Sequence, residues 1–426
     1  MPTLRTWGRT HEASAQALER PTSEAEVAEI VASTTARGGR VRAHGALHSW
    51  SDCALDDDVA MSLDAWSGLV GVSGTTVRVR AGTRLFDLNP LLEAEGLAMP
   101  VLGSIDHQSV AGAVSTGTHG SSRRHGNLAS LVRGVRLVTA DGEVHTIGRD
   151  DPRLDAVRVS LGAMGVLTEV TLEVVPSFRL RETATPMPID EAIERVDELS
   201  TSAEFVKVWW LPHTGMAIVF RAERTHEPPT FSAVERWVDE QVVNRVGFRG
   251  VLGMGRLAPR LIPSLNRLVG KAYFRPQERI GRSFEVFHLA MPPVHREMEY
   301  AVPVGGTRQA VRELVDFVRR EQVRVNFIAE VRFVKGDTGW ISPAHGGDVC
   351  QLGAYIGHSA DTEAYYRGFE ERMLALGGRP HWGKEFFAPA STVRGRYPRM
   401  GDWLALVDEL DPTGTFRGPF LRRLRA

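Results

Sequence analysis

Cysteine is scarce in this chain, with only Cys53 and Cys350 among 426 residues. Two thiols build no disulfide framework, so the fold must stand on its apolar core, and a reducing cytoplasm is the expected setting. Net charge is nearly absent too: 51 Lys and Arg against 52 Asp and Glu leave −1. Such a balance gives no pull toward nucleic acid. The run LRRLR at 421–425 and the pair Arg319-Arg320 have no interleaved aromatic residues and read as solvated surface. No stretch of about 18 apolar residues is free of charge. The nearest candidate, 251–270, carries Arg256, Arg260, Arg267 and two prolines. It reads as a segment packed on its own domain or a lid, in preference to one lying on a membrane. The N-terminus lacks the apolar core of a signal peptide.

Two nucleotide signatures are missing as well. No G-x-G-x-x-G follows the first expected strand, and no G-x-x-x-x-G-K-[ST] occurs. A metal is not expected either. His44 and His48 are four apart, but the intervening glycine breaks any helical face and no third ligand is evident.

What is present is a globular balance, 42% apolar and 24% charged. The length exceeds one ordinary core and predicts two domains. Ser23 and Glu26 fit a capping box, Val27, Ile30, Val31 and Thr34 follow at helical spacing, and Gly38-Gly39 stop the helix. A strand, RVRA, then enters HGALHSWS. TVRVRAG alternates as a strand, Thr83–Ala98 reads as a helix closed by Gly96, and Asp141-Gly142 marks a hairpin. GVLTEVTLEVVP is a strand. Residues 1–178 thus form an α+β unit. Beyond it, FVKVWW, MAIVFRAERT, SFEVFHLAMP, VRVNF and EVRFV read as strands, and TRQAVRELVDFVRR and DTEAYYRGFEERMLALGG as helices.

The strongest local signal is a pair of loops rich in small residues. A pyrophosphate needs backbone N–H groups aimed at it, and bulky side chains block that approach. Gly45, Ala46 and Ser49 suit one such loop; Ser109, Gly112, Ser115, Thr116, Gly117 and Gly120 suit another. One loop alone reads as a tight turn, but two in one α+β unit point to a nucleotide. Glu330 and Arg332 lie two apart on an expected strand, so they share a face, with Val331 and Phe333 turned to the core.

These runs resemble a known family. RVRAHGALHSWSD looks like the first FAD loop of the vanillyl-alcohol-oxidase superfamily, GSIDHQSVAGAVSTGTHGSS like the second, and SLGAMGVLTEVTLEVVP like a third FAD-domain signature. EVRF, WISP, GGRPHWGK and DPTGTF then follow in the order found in aldonolactone oxidoreductases, a group with alditol oxidase as a cousin. The resemblance implies an α+β, two-domain protein: a PCMH-type FAD-binding domain at 1–178, with the tail 390–426 as a candidate completing piece, and an antiparallel-sheet substrate (cap) domain at 179–389.

It also implies an FAD-dependent oxidation of a CH–OH group in an aldonolactone, sugar or alditol, by hydride transfer to flavin N5. Oxygen, giving hydrogen peroxide, or another acceptor then reoxidises the flavin. His48 stands where the family attaches the flavin 8α-methyl carbon, which implies a covalent bond; the family's second glycine is Leu47 here. The FAD contacts implied are Gly45, Ala46, Leu47, His48, Ser49, Trp50, Gly103, Ser104, Ser109, Gly112, Ala113, Ser115, Thr116, Gly117, His119, Gly120 and Val170. Glu330 would orient substrate hydroxyls, Arg332 would stabilise developing negative charge, and Lys384 would sit near the flavin pyrimidine. Related lactone dehydrogenases carry an alanine at the position of Gly103, where it is thought to block oxygen, so glycine favours an oxidase. Ser104 and His345 are candidate substrate contacts. His345 and Gly347 replace the family's usual Tyr and Arg, which leaves open a tailoring oxidase acting on a glycosylated or polyol natural product.

Overall fold

The computed structural model describes residues 1–230, 247–357 and 361–426. Ser23 caps the first helix, Glu24–Ala36, by accepting from the Glu26 N–H at 3.2 Å. The Glu26 carboxylate turns back to the N–H of Thr22, one residue earlier than a strict capping box requires. Val27, Val31 and Thr34 are buried, and Gly38 ends the turn at φ 70°. The chain then enters strand Val41–His44. This strand pairs in parallel with Val59–Ser62, which also pairs with Ala17–Glu19.

A five-stranded antiparallel sheet lies beside this small sheet. Its order is Val144–Ile147, Val132–Val138, Val166–Glu173, Thr76–Arg80, Leu69–Ser73. The two sheets share one hydrophobic core with helix Leu85–Ala94 and with the chain's end. From the C-terminal helices Met400–Leu410 and Pro419–Arg425, Trp403, Val407, Phe420 and Leu421 all join that core. The Val41 N–H donates to the Thr415 carbonyl at 2.9 Å, so the tail is bonded to the first strand as well as packed on it.

The middle of the chain builds an eight-stranded sheet with antiparallel pairing throughout. Its central strands are Phe205–Leu211, Ala329–Val334, Val349–Ile356 and Arg296–Pro303. Side chains alternate across a strand, and here the alternation separates two chemistries. Val206, Val208, Val331, Phe333, Leu352, Ala354, Met298 and Tyr300 pack with helices Thr307–Arg320 and Thr362–Ala375 in a second core. The opposite face carries Lys207, Trp209, Glu330, Arg332, Gln351, Tyr355, Glu297 and Glu299. Register lines up Trp209, Glu330, Gly353 and Glu299 across four adjacent strands.

Two sequence expectations fail. SFEVF is a helical turn, Ser283–Phe287, because Glu285 accepts from the Arg282 N–H and caps it; the strand is the preceding Gln277–Arg282. VRVNF forms no strand, since the Val325 N–H turns to His213 Nε2 and the Val323 carbonyl. The second glycine-rich loop contains a short helix, Val110–Ser115, capped by Ser109 and held by burial of Val110, Ala113 and Val114 at helical spacing.

Candidate functional site

The two loops meet. A Cβ on Gly45 would lie 2.1 Å from Ser109 Oγ, so only glycine permits the contact. Ser109 Oγ is itself engaged, accepting from the Gly112 N–H at 3.2 Å. Between the loops and the five-stranded sheet lies an open cleft. Gly45, Ala46, Leu47, His48, Ser49, Ser109, Gly112, Ser115 and Thr116 line it. Among the described residues, the N–H groups of Ala46, His48 and Ser49 meet no backbone acceptor. Small side chains and free N–H groups are what a pyrophosphate requires, so the cleft fits a dinucleotide.

A third wall comes from the run that resembles a third FAD-domain signature, of which sequence reading singles out only Val170. Leu161, Gly162, Gly165 and Leu167 line the cleft, and Val170 does not. The pairing of strand Val166–Glu173 with Val132–Val138 shifts register between Leu167 and Glu169. Val170 pairs with Val135 and is fully buried in the first core. Arg42, unforeseen, clamps this wall by donating to the carbonyls of Cys53 at 2.7 Å, Leu161 at 2.7 Å and Gly162 at 3.0 Å. The glycines at 162 and 165 were the available signal. Ala113 is likewise core rather than lining, and Gly117 packs against Pro343.

His48 ends the first loop. Its ring stacks on Trp7 at 5.4 Å, and its Nδ1 is buried with no hydrogen-bond partner among the described residues. Burial, aided by His107 and Lys384, pushes its pKa down to about 4, so the imidazole is neutral at physiological pH. A neutral ring with an unclaimed nitrogen at the end of this cleft fits a flavin partner.

The remaining candidates gather beneath the charged sheet face. Trp50 donates from its backbone to the Gly383 carbonyl at 2.7 Å and from Nε1 to the His295 carbonyl at 2.8 Å. Lys384 Nζ lies 4.0 Å over the Trp50 ring and pairs with Glu297. Glu330 is buried, accepting from Trp209 Nε1 at 2.7 Å, Tyr355 OH at 2.8 Å and Arg332 at 2.5 Å. Arg332 also donates to Ser104 Oγ at 2.9 Å. Burial opposes both charges, but their mutual attraction wins: Glu330 titrates below its usual range and Arg332 above its own.

Glu297 and Glu299 are the residues sequence reading missed. Burial outweighs Lys384 and raises the Glu297 pKa. Glu299, equally buried, falls well below the carboxylate range because His119 and His381 face it. His119 Nε2 lies 3.2 Å from Glu299 Oε1. Ligand atoms of His119, Glu299 and His381 all lie within 4.8 Å of one another, a spacing a metal could use. The hydrogen bonds argue otherwise. His381 Nδ1 accepts the Gly383 N–H at 3.0 Å, so the neutral ring carries its proton on Nε2 and has no lone pair to offer. Gly120 belongs to this region because its absent Cβ makes room for the Leu102 carbonyl, and Gly103 lies against the His119 carbonyl.

His345 departs from expectation. Its Nδ1 faces the Gly339 carbonyl at 2.9 Å, inside its own loop. That loop is bonded to the first core through Trp340 N–H to the Asp155 carbonyl and Asn127 Nδ2 to Asp337. His345 contacts none of Glu330, Arg332 and Lys384 among the described residues, because these bonds commit its loop to the other unit.

Comparison with known proteins agrees with this geometry. Residues 15–148 match the FAD binding domain family, and residues 170–424 match the D-arabinono-1,4-lactone oxidase family. The L-gulono-1,4-lactone dehydrogenase of Mycobacterium tuberculosis is 35% identical, with 99% of each chain covered. The alditol oxidase of a Streptomyces species is 34% identical, with 98% of each covered. The crystal structure of cholesterol oxidase from B. sterolicum superposes with a TM-score of 0.84 at 17% identity, covering 99% of this chain and 96% of that one. At that identity the likeness concerns the fold.

Proposed function

Because the chain belongs to the D-arabinono-1,4-lactone oxidase family of FAD-binding oxidoreductases, we propose that it oxidises one CH–OH carbon of an aldonolactone, sugar or alditol on the charged face of its eight-stranded sheet. The observation that carries this reading is the buried Glu330–Arg332 pair, bonded through Ser104 to the second loop. Glu330 is ionised and fixed by Trp209 and Tyr355. It accepts hydrogen bonds from substrate hydroxyls and sets which carbon is presented. Arg332 turns its guanidinium to the oxygen on which charge develops, where a preorganised donor acts most strongly. FAD, held by the cleft, supplies the hydride acceptor. Lys384, steadied by Glu297 and Trp50, contributes a fixed positive charge favourable to the reduced cofactor. The neutral His48 ring and its unpartnered Nδ1 support a covalent bond to the flavin 8α-methyl carbon. Gly103 supports oxygen as the acceptor.

We assign FAD binding to residues 1–178 with the tail 390–426, and the substrate cap to 179–389. The shared core of Val41, Trp403 and Phe420 supports that division. Two buried free thiols accord with a cytoplasmic setting. The hydrogen bond of His345 to Gly339 holds that ring in its own loop, which supports the smaller substrates over a glycosylated natural product.

Acid precipitation tests the cofactor: yellow colour retained in the pellet, and lost in His48→Ala, is expected. Steady-state rates with gulono-, galactono- and arabinonolactones, free sugars and alditols test the substrate. A flavin-loaded protein that turns over none of them overturns the reading.

A further inference from the structure

We propose that a second cavity, opening beside Arg332, is a subsite for a carboxylate carried by the substrate at the end remote from the oxidised carbon, and that Lys207 binds it. The inference rests on the oxidation site proposed above and narrows its substrate to a sugar acid.

The cavity lies between the second loop and the charged face of the eight-stranded sheet. Phe205, Phe220 and Phe287 form its apolar wall, and Ser104, Glu182, Lys207 and Arg332 bring polar side chains to it. Ser121 lines it as well, but its hydroxyl is engaged by the Val206 carbonyl and the Phe333 N–H. Ser104 and Arg332 are bonded to each other at 2.9 Å, so the cavity adjoins the proposed oxidation site.

Lys207 is an unusual residue for such a wall. It stands directly opposite Arg332 on the neighbouring strand, and like charges in that relation destabilise a sheet. A lysine ordinarily keeps its ammonium in water, yet this side chain is only 11% exposed. Burial lowers its pKa, against the pull of Glu182 and Glu330. Its Nζ lies 4.9 Å from the centre of the Phe220 ring and 5.5 Å from that of Trp209. Glu182 is 3.7 Å away, beyond hydrogen-bond reach, and its Oε1 accepts from Arg279 at 2.8 Å. Glu330 is held by Arg332. No described side chain or carbonyl accepts a hydrogen bond from the Lys207 ammonium.

A buried cation with its donors unmet calls for an anion from outside the chain. One ammonium matches one carboxylate. A phosphate carries about −1.5 to −2 at neutral pH and would bring more charge than Lys207 offsets. The side chain leans away from Arg332, over Phe220 and toward Glu182, which sets the carboxylate apart from the carbon being oxidised. The oxidation itself is unaltered: a CH–OH carbon loses hydride to the cofactor and its hydroxyl proton leaves, and the carboxylate takes no part.

The test compares flavin-loaded, full-length protein on D-gluconate and D-galactonate, on the matching neutral alditols sorbitol and galactitol, and on gulono- and galactonolactone. kcat/KM should favour the acids by at least about tenfold, through KM. Lys207→Met keeps the stem without the charge and should bring that ratio close to one; Lys207→Arg should retain a preference. The flavin spectrum reports whether each variant has folded. Anaerobic calorimetry of the wild type needs neither variants nor turnover: D-gluconate should bind, with sorbitol and inorganic phosphate at least about tenfold weaker. Turnover of alditols or lactones without preference for the acids overturns the proposal and leaves the oxidation reading standing. A preference that survives Lys207→Met, or phosphate bound more tightly than gluconate, also overturns it. Should nothing turn over, the oxidation reading falls alone if Lys207→Met abolishes gluconate binding, and the subsite falls with it if not.

Discussion

Arg332 reaches from the eight-stranded sheet to Ser104 on the second loop with a 2.9 Å hydrogen bond, while holding Glu330 at 2.5 Å. One guanidinium therefore joins the cap to the cofactor side, and it does so at the proposed substrate site. Both charges are buried, so removing one strands the other. Glu330→Gln keeps a group that Trp209 Nε1 can still bond but deletes the charge. The anaerobic reductive half-reaction of that variant should slow by about 10²–10³ while FAD content is unchanged. Arg332→Lys should fall by as much, because an ammonium lacks the planar fork. An unchanged rate in either variant would move the chemistry elsewhere.

Gly103 gives a cleaner separation of half-reactions. A Cβ there would lie 3.3 Å from the His119 carbonyl oxygen and 3.4 Å from Thr118 Cγ2. A methyl thus enters with a shift of a few tenths of an ångström. Gly103→Ala should fold, bind FAD and be reduced by substrate at the wild-type rate. Reoxidation by oxygen, followed by stopped flow, should slow, while reoxidation by an artificial dye should not. Equal oxygen rates would remove Gly103 from acceptor choice.

The Glu330–Arg332 strand was legible in sequence because a period of two, with Val331 and Phe333 between them, assigns faces without reference to anything distant. Glu297 and Glu299 follow the same pattern in REMEYAVP and went unread. Nothing local distinguishes a buried acid from a solvated one. Their burial depends on pairing with Val349–Ile356 and on His119 and His381, each far along the chain. The first two cofactor loops were legible as clusters of small residues. The third wall was legible as a segment, SLGAMGVLTEVTLEVVP, but not residue by residue, because Leu161, Gly162 and Gly165 lie in the turn before the strand, where no alternation rule assigns a face. SFEVF failed for a related reason: over five residues, apolar alternation does not separate strand from capped turn, and Glu285 decided it.

Three buried histidines set a pH dependence of stability in the apoprotein. Burial lowers His381 to about 3, and His48 and His288 to about 4. In the unfolded chain each titrates near about 6.5. Below that pH the unfolded state takes up protons that the folded state refuses. Stability is therefore fully present above about pH 6.5 and falls as pH drops toward each folded value, by up to about 1.4 kcal/mol per pH unit for each histidine. Urea midpoints should decline between neutral pH and pH 5. His381→Asn, which keeps an acceptor near the Gly383 N–H, should flatten the decline by one proton's share. A midpoint independent of pH over that range would contradict the buried, neutral assignment.

Leu47 stands where the resembling loops carry glycine, and the backbone still adopts the glycine-like form, φ 55°. For a leucine this left-handed conformation costs about 1–2 kcal/mol. Two forces hold it: the Leu47 carbonyl accepts the Trp7 N–H at 2.8 Å, and the side chain packs on the cluster of Leu4, Ala15, Leu55 and Ala60. The two contributions can be separated by substitution. Leu47→Ala loses the packing and keeps the strain, whereas Leu47→Gly loses the packing and relieves the strain. Glycine is ordinarily the less stable replacement, so the order should invert here, with Leu47→Gly more stable than Leu47→Ala by about 1 kcal/mol. Urea denaturation of the two apoproteins at one pH measures the difference. The ordinary order, alanine above glycine, would mean that position 47 leaves the left-handed region in solution, and that the loop presents His48 differently.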